Sequence, residues 1–180
     1  MQKTILNPGV FTIDNFLALD ECTALIALAE RDGFSTAMVR ANSGTKAMPT
    51  IRNNERAEFE SPAWVSLLQE RLQQMDLPRL DGASPCGLPA ALRFYKYTAG
   101  QRFKMHKDGP WSENGMQSKL TFLVYLNEAF SGGETDFRDF KVAPKTGMAL
   151  LFVHATWHEG CAVTSGEKYV LRSDVLYRPD

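Results

Sequence analysis

The sequence predicts a mainly β (α+β) domain, an antiparallel sandwich or jelly roll with N-terminal helices packed on one outer face. Three observations predict it. Apolar residues follow helical spacing in two stretches of the first half, 20–34 and 61–75. From Ala91 onward the spacing changes to two, and short apolar runs recur between glycine turns. The length, 180 residues, suits one hydrophobic core. We therefore read residues 1–180 as a single domain, with a helical and loop support region over 1–90 and a β core over 91–178.

The elements follow in order. GVFTIDNF (9–16) reads as a short strand. In DECTALIALAERDGF, Asp20 is the expected N-cap, Leu25, Ile26, Leu28 and Ala29 form an apolar face, and Gly33 supplies the left-handed stop. A second helix opens at Ser61-Pro62, a cap residue with proline behind it, and carries Trp64, Leu67, Leu68 and Leu72 on one side. Residues 41–56 are polar and turn-rich and read as a long loop with short strands, and residues 77–89 are polar and turn-rich as well. Five strand-like runs follow, at 92–100, 120–130, 134–144, 148–155 and 167–177. Gly100, Gly109, Gly132-Gly133, Gly147 and Gly166 punctuate them. The Gly132-Gly133 pair reads as a tight reversal with no chemistry of its own.

Bulk composition narrows the function. A net charge of −1 and a sequence pI near 6.3 argue against nonspecific nucleic-acid binding, which needs a cationic surface to displace counterions. No apolar run approaches the roughly 20 residues of a membrane helix, and the start lacks a signal-peptide core. Cys22, Cys86 and Cys161 are odd in number and widely spaced, so free thiols in a reducing cytoplasm are the expectation.

The chain has three histidines, His106, His154 and His158. His106 and Asp108 are two apart, so on an extended strand both face one side. His158 on a neighbouring strand would complete two imidazoles and a carboxylate, the donor set that leaves positions open in non-haem Fe(II) oxygenases. His154, four residues before His158, makes a zinc site conceivable as well.

The ordered motifs around these residues carry a resemblance. They are Tyr97-x-x-Gly100 before the His-x-Asp, Leu126-Asn127-x-x-Phe130-x-Gly132-Gly133-Glu134-Thr135, Pro144-x-x-Gly147, His158-Glu159-Gly160 and Gly166-x-Lys168. Over 92–177 the sequence resembles the 2-oxoglutarate/Fe(II)-dependent oxygenases of the prolyl 4-hydroxylase-like family. That resemblance implies a double-stranded β-helix, with Fe(II) on His106, Asp108 and His158 and 2-oxoglutarate as co-substrate. It also implies ascorbate as reductant, and hydroxylation of a C–H bond in a peptide, amino acid or other small molecule with release of succinate and CO2.

It places Lys168 as the cation for the distal carboxylate of 2-oxoglutarate, with Arg172, of the same strand parity, as the alternative. Tyr97 is the tyrosine expected to donate its hydroxyl to the co-substrate, and Tyr95 shares its parity. His154 is expected to support the site, and Glu159 to point away and orient the turn. Thr135 and Asn127 are expected to line the barrel. Arg52, Asn53 and Arg56 on the 41–56 loop, with Asn54, and Trp111 after the ligand loop are the substrate-side candidates. Two rivals stay open at this stage. One is a cupin-like zinc or manganese enzyme that does not use 2-oxoglutarate. The other is a non-catalytic binding or sensor module on the same barrel.

Overall fold

Alternating side chains in the second half give each strand two different faces, and both are covered. The computed structural model describes residues 1–41, 44–46 and 48–179. In chain order the elements begin β1 (Gln2–Asn7), β2 (Val10–Asp14), α1 (Leu19–Asp32), β3 (Ser35–Thr36), β4 (Val39–Ala41), β5 (Gly44–Lys46), β6 (Glu55–Glu60), α2 (Pro62–Gln73), β7 (Ala83–Gly87), β8 (Ala91–Tyr97) and β9 (Phe103–His106). They continue β10 (Ser112–Glu113), β11 (Met116–Tyr125), β12 (Phe130–Gly132), β13 (Thr135–Asp136), β14 (Lys141–Val142), β15 (Ala149–Val153), β16 (His158–Gly160), β17 (Val163–Gly166) and β18 (Lys168–Pro179).

The larger sheet runs β1-β2-β15-β11-β18-β8-β6-β3, with β10 on β11 and β7 on β18. A second sheet, β14-β13-β16-β9, and the β12-β17 pair supply the opposing strands. Every pairing between these strands is antiparallel. This is the expected double-stranded β-helix.

One face of the larger sheet presents Leu92, Phe94, Leu120, Phe122, Leu171 and Tyr177 to Cys22, Leu25, Leu68 and Leu72 of the two helices, and they form one apolar core. The other face presents Tyr95, Tyr97, Tyr125 and Val170, which pack with Phe137, Leu150 and Phe152 inside the barrel. That double coverage explains why β18 is buried from Lys168 through Tyr177.

The helices form where their apolar spacing indicated, but α1 is capped differently. Its N-cap is Ala18, whose backbone N–H donates to the Glu21 carboxylate at 2.8 Å, and Asp20 lies inside the first turn. Glu21 can do this because Arg71 of α2 grips both its oxygens at 2.7 Å, an ion pair that also joins the helices. Gly33 ends α1 at φ +98°, but its ψ of 141° is extended rather than left-handed helical. Ser61 precedes Pro62 at the start of α2 as expected.

The 41–56 stretch carries short strands as expected, and 77–89 also holds one. β7 pairs with the end of β18, and β6 extends the larger sheet beside β8. Of the 41–56 stretch, Asn42, Ser43 and Ala47 lie outside the described residues. The region 1–90 thus supplies edge strands as well as helices.

Candidate metal centre

Antiparallel pairing of β16 with β9 sets His158 directly opposite His106, which removes the 52-residue separation (158 − 106) in sequence. Asp108 lies just past β9, its backbone N–H bonded to the His154 carbonyl at 3.1 Å. One ligand atom from each of His106, Asp108 and His158 falls within 4.8 Å of the others. The His106 Nδ1 donates to the Lys104 carbonyl at 2.7 Å, and His158 Nδ1 donates to the Thr156 carbonyl at 3.0 Å. A carbonyl only accepts, so each ring is fixed with its Nε2 lone pair free for an ion. Burial pushes the His158 imidazole down to about 4, against the pull of the Asp108 carboxylate, so it is neutral at physiological pH. The Asp108 carboxyl is buried, which alone would raise its pKa. Arg172, His106, His158 and Thr121 together outweigh burial and hold it well below the usual carboxylate range.

A second ring of contacts steadies these groups. Thr121 Oγ1 donates to Asp108 Oδ2 at 2.5 Å and contacts His154 Nδ1 at 2.9 Å. The buried His154 also meets Ser118 Oγ at 3.0 Å through Nε2. It supports the carboxylate and is not in the three-residue cluster. Glu159 points away as expected, pairing with Arg102 and accepting from the Met105 N–H at 3.1 Å. Phe103 stacks on His106 at 3.6 Å and Phe152 lies 4.4 Å from His158, centroid to centroid, so neither imidazole is free to turn.

The cluster opens into a cavity of roughly 470 Å³, mouth included, lined by Tyr95, Tyr97, Leu123, Tyr125, Thr135, Lys168 and Arg172 among others. The two cations on β18 behave differently. Arg172 sits beside the histidine–carboxylate cluster, 3.1 Å from Asp108 Oδ2 and 2.8 Å from Asp174 Oδ2. Lys168 is 3% exposed and meets no carboxylate among the described residues. Its hydrogen bond goes to the Gly133 carbonyl at 2.6 Å, and its ammonium lies 5.2 Å from the Tyr97 ring and 5.4 Å from the Tyr125 ring. Burial lowers it to about 8.

Gly132-Gly133 is therefore not a bare hairpin turn. Both residues have φ of +72°, and a Cβ on Gly133 would lie 3.1 Å from Lys168 Cδ, so the pair creates the space that the lysine fills.

Tyr125, which no motif in the sequence marks, also lines the cavity, and its strand parity with Thr121 and Leu123 is the signal that points to it. Its hydroxyl and Thr135 Oγ1 are 2.6 Å apart. Asn127 does not line the cavity. It bonds the Glu167 carbonyl and the Tyr169 N–H. The substrate-side candidates separate. Arg52 does not line the cavity itself but is buried against the rings of Tyr95 and Phe103, which do, with its Nε on Asn54 Oδ1 at 2.7 Å and its Nη2 without a partner. Asn53 accepts from the Arg102 N–H at 2.8 Å. Arg56 and Trp111 line a different surface groove, where the Trp111 indole donates to Asp174 at 2.9 Å.

The profile described as the 2OG-Fe(II) oxygenase superfamily matches residues 92–173. Together with relatives named prolyl 4-hydroxylases, this match makes the chain a 2OG/Fe(II) oxygenase, prolyl 4-hydroxylase-like. It is 29% identical over 165 residues to Probable prolyl 4-hydroxylase 11 of Arabidopsis thaliana, across 81% of this chain and 56% of the relative. To Probable prolyl 4-hydroxylase 3 of the same plant it is 25% identical over 198 residues, across 90% and 67%. The chain therefore spans between about half and two thirds of these relatives' length.

The fold of the oxygenase is that of the viral collagen prolyl hydroxylase of Paramecium Bursaria Chlorella virus-1, solved as a 2OG complex. The two share a TM-score of 0.74 and 24% identity over 93% of this chain and 96% of that one. The oxygenase is a 2-oxoglutarate-dependent Fe(II) hydroxylase, and the cupin-like rival is not favoured. No helix among its described residues is long and apolar enough to cross a membrane.

Proposed function

We propose that His106, Asp108 and His158 hold Fe(II), and that Lys168 binds the distal carboxylate of 2-oxoglutarate. The observation that carries the second assignment is a buried ammonium with no carboxylate partner, in the same cavity as the three ligands. An unpaired cation inside a barrel is costly, and a diacid co-substrate supplies the missing charge. Arg172 is already matched by Asp108 and Asp174, so it serves the metal ligand instead.

The donor set fits the ion, since two neutral imidazoles and one carboxylate leave positions open for a chelating co-substrate. Bound Fe(II) with 2-oxoglutarate supplies the oxidising chemistry, which releases succinate and CO2 and hydroxylates a C–H bond of the prime substrate. The protein's own work is positioning. Tyr97, kept protonated by burial, offers its hydroxyl to the co-substrate, with Tyr95 and Tyr125 walling the cavity. Arg52 faces the substrate, which we take to be a peptide, while an amino acid or other small molecule fits the same chemistry. Ascorbate acts as external reductant. The three free cysteines accord with a cytoplasmic setting.

Anaerobic calorimetry of 2-oxoglutarate into Mn(II)-loaded protein tests the reading. Micromolar binding is expected, with a loss of at least about 100-fold, roughly 2.7 kcal/mol, in Lys168→Met. An unchanged affinity in that variant sinks the lysine assignment, and no binding to the native protein sinks the whole reading. Succinate release against pooled peptides, amino acids and small metabolites, with and without ascorbate, then finds the substrate class.

A further inference from the structure

Trp157 immediately precedes the ligand His158, yet it is one of the few large apolar side chains left open, at 41% exposure. Two cations gather on its ring. Arg138, from the turn between β13 and β14, holds its guanidinium 4.5 Å from the ring centroid, and the Lys107 ammonium lies at 5.2 Å. Lys107 sits between the ligands His106 and Asp108, and its side chain is exposed where theirs are partly buried. Neither cation pairs with a carboxylate among the described residues. Asp136 is turned toward Lys141 at 3.5 Å, Glu159 toward Arg102, and Asp139, exposed on the same turn, makes no ion pair with either cation.

The turn that presents Arg138 is rigidly built. Arg138 has φ of +75°, a left-handed conformation uncommon for a side chain of its size, held by its N–H on Asp136 Oδ1 at 2.7 Å. Phe137, next to it, stacks on Phe140 and packs edge-on against Phe152, which in turn contacts the His158 ring. The backbone that carries Arg138 is thus fixed relative to the metal ligands, and its side chain is exposed over the Trp157 ring.

We propose that Trp157, Lys107 and Arg138 form a docking lip that selects a peptide carrying acidic residues beside the segment offered to the metal. The ring holds two charges in place at small entropic cost, so their outward donors are ready for carboxylates. The inference rests on the oxygenase reading only in calling the peptide a substrate.

Fluorescence anisotropy tests it with a labelled proline-containing peptide flanked by glutamates, and with the same peptide flanked by lysines. Titrations run with Mn(II) and 2-oxoglutarate present, and again on the metal-free protein, because none of the three residues holds the ion. About tenfold or tighter binding of the acidic peptide is expected, weakening with added salt. Arg138→Glu and Lys107→Glu should each remove most of that preference, and Trp157→Ala should do the same while Trp157→Phe retains it. Circular dichroism confirms that each variant folds. Equal affinity for both peptides, a preference for the basic one, or discrimination untouched by all these substitutions overturns the lip. Failure of 2-oxoglutarate to bind overturns the oxygenase reading instead and leaves this result to be judged on the metal-free titration.

Discussion

At the residue scale, Lys168 carries the sharpest predictions. Its pKa is lowered to about 8 by burial, against an ordinary value of 10.5. The folded protein therefore loses this proton before the unfolded chain does. Stability should be penalised below about pH 8, and the penalty should be relieved as pH rises from about 8 toward 10.5. Lys168→Met removes a charge-burial cost of roughly 3 kcal/mol, and the orphaned Gly133 carbonyl returns about half of it. The variant should melt a few degrees higher near pH 7 while losing 2-oxoglutarate, which scanning calorimetry and titration would read together.

In the native protein the dissociation constant for 2-oxoglutarate should rise about tenfold between pH 7 and 9, as the free lysine deprotonates. A flat profile across that range would place the binding charge elsewhere. Thr121 provides a second test, since its hydroxyl links Asp108 to His154. Thr121→Val should weaken Mn(II) binding by about 10- to 100-fold with the fold intact, as measured by equilibrium dialysis.

At the element scale, the glycine pair at the end of β12 decides how closely a backbone can approach β18. Gly133→Ala combines a left-handed φ with contacts of 3.0 Å to Phe130, 3.1 Å to Lys168 and 3.2 Å to Val163. A stability loss of about 1–2 kcal/mol is expected, together with at least tenfold weaker 2-oxoglutarate binding. The same melting loss with co-substrate affinity intact would mean that the glycine serves the turn and not the lysine. Gly147 is a harsher case of the same geometry. Its carbonyl accepts from the N–H groups of Phe16 and Leu17, and a Cβ there would lie 2.1 Å from the Leu17 oxygen. Gly147→Ala should therefore cost more stability without touching the metal centre. All three glycines stand out in the sequence as punctuation, because periodicity marks where a strand stops. Which strand will pass close by is set only by the fold.

At the scale of the whole molecule, the histidine–carboxylate cluster ties the smaller sheet to the larger one. His106 and His158 come from β9 and β16, and Asp108 is braced by Thr121 of β11 and Arg172 of β18. An ion held there links both layers of the barrel, and the unfolded chain has no such site. Mn(II) and 2-oxoglutarate at about 100 times their dissociation constants should add roughly 2.7 kcal/mol each, a rise of several degrees in melting temperature per ligand that EDTA reverses. No shift with either ligand would mean that the cluster holds no metal in the folded protein.

By itself the sequence determined the strand pattern, the two helices, the three candidate ligands and the order of motifs around them. These are set by local periodicity, by the side-chain chemistry of His and Asp, and by glycine at positions where other residues are strained. Tertiary structure decided everything that depends on which strands become neighbours. Lys168 and Arg172 share a parity, so the sequence treats them alike. Only the fold surrounds Arg172 with Asp108 and Asp174 and leaves Lys168 facing a carbonyl. Likewise Asp20 looks like the better cap, and only the crossing of α2 delivers Arg71 to hold Glu21 in that role. Pairing, burial and unbalanced charge are properties of distances between residues far apart in the chain, and those distances exist only after folding.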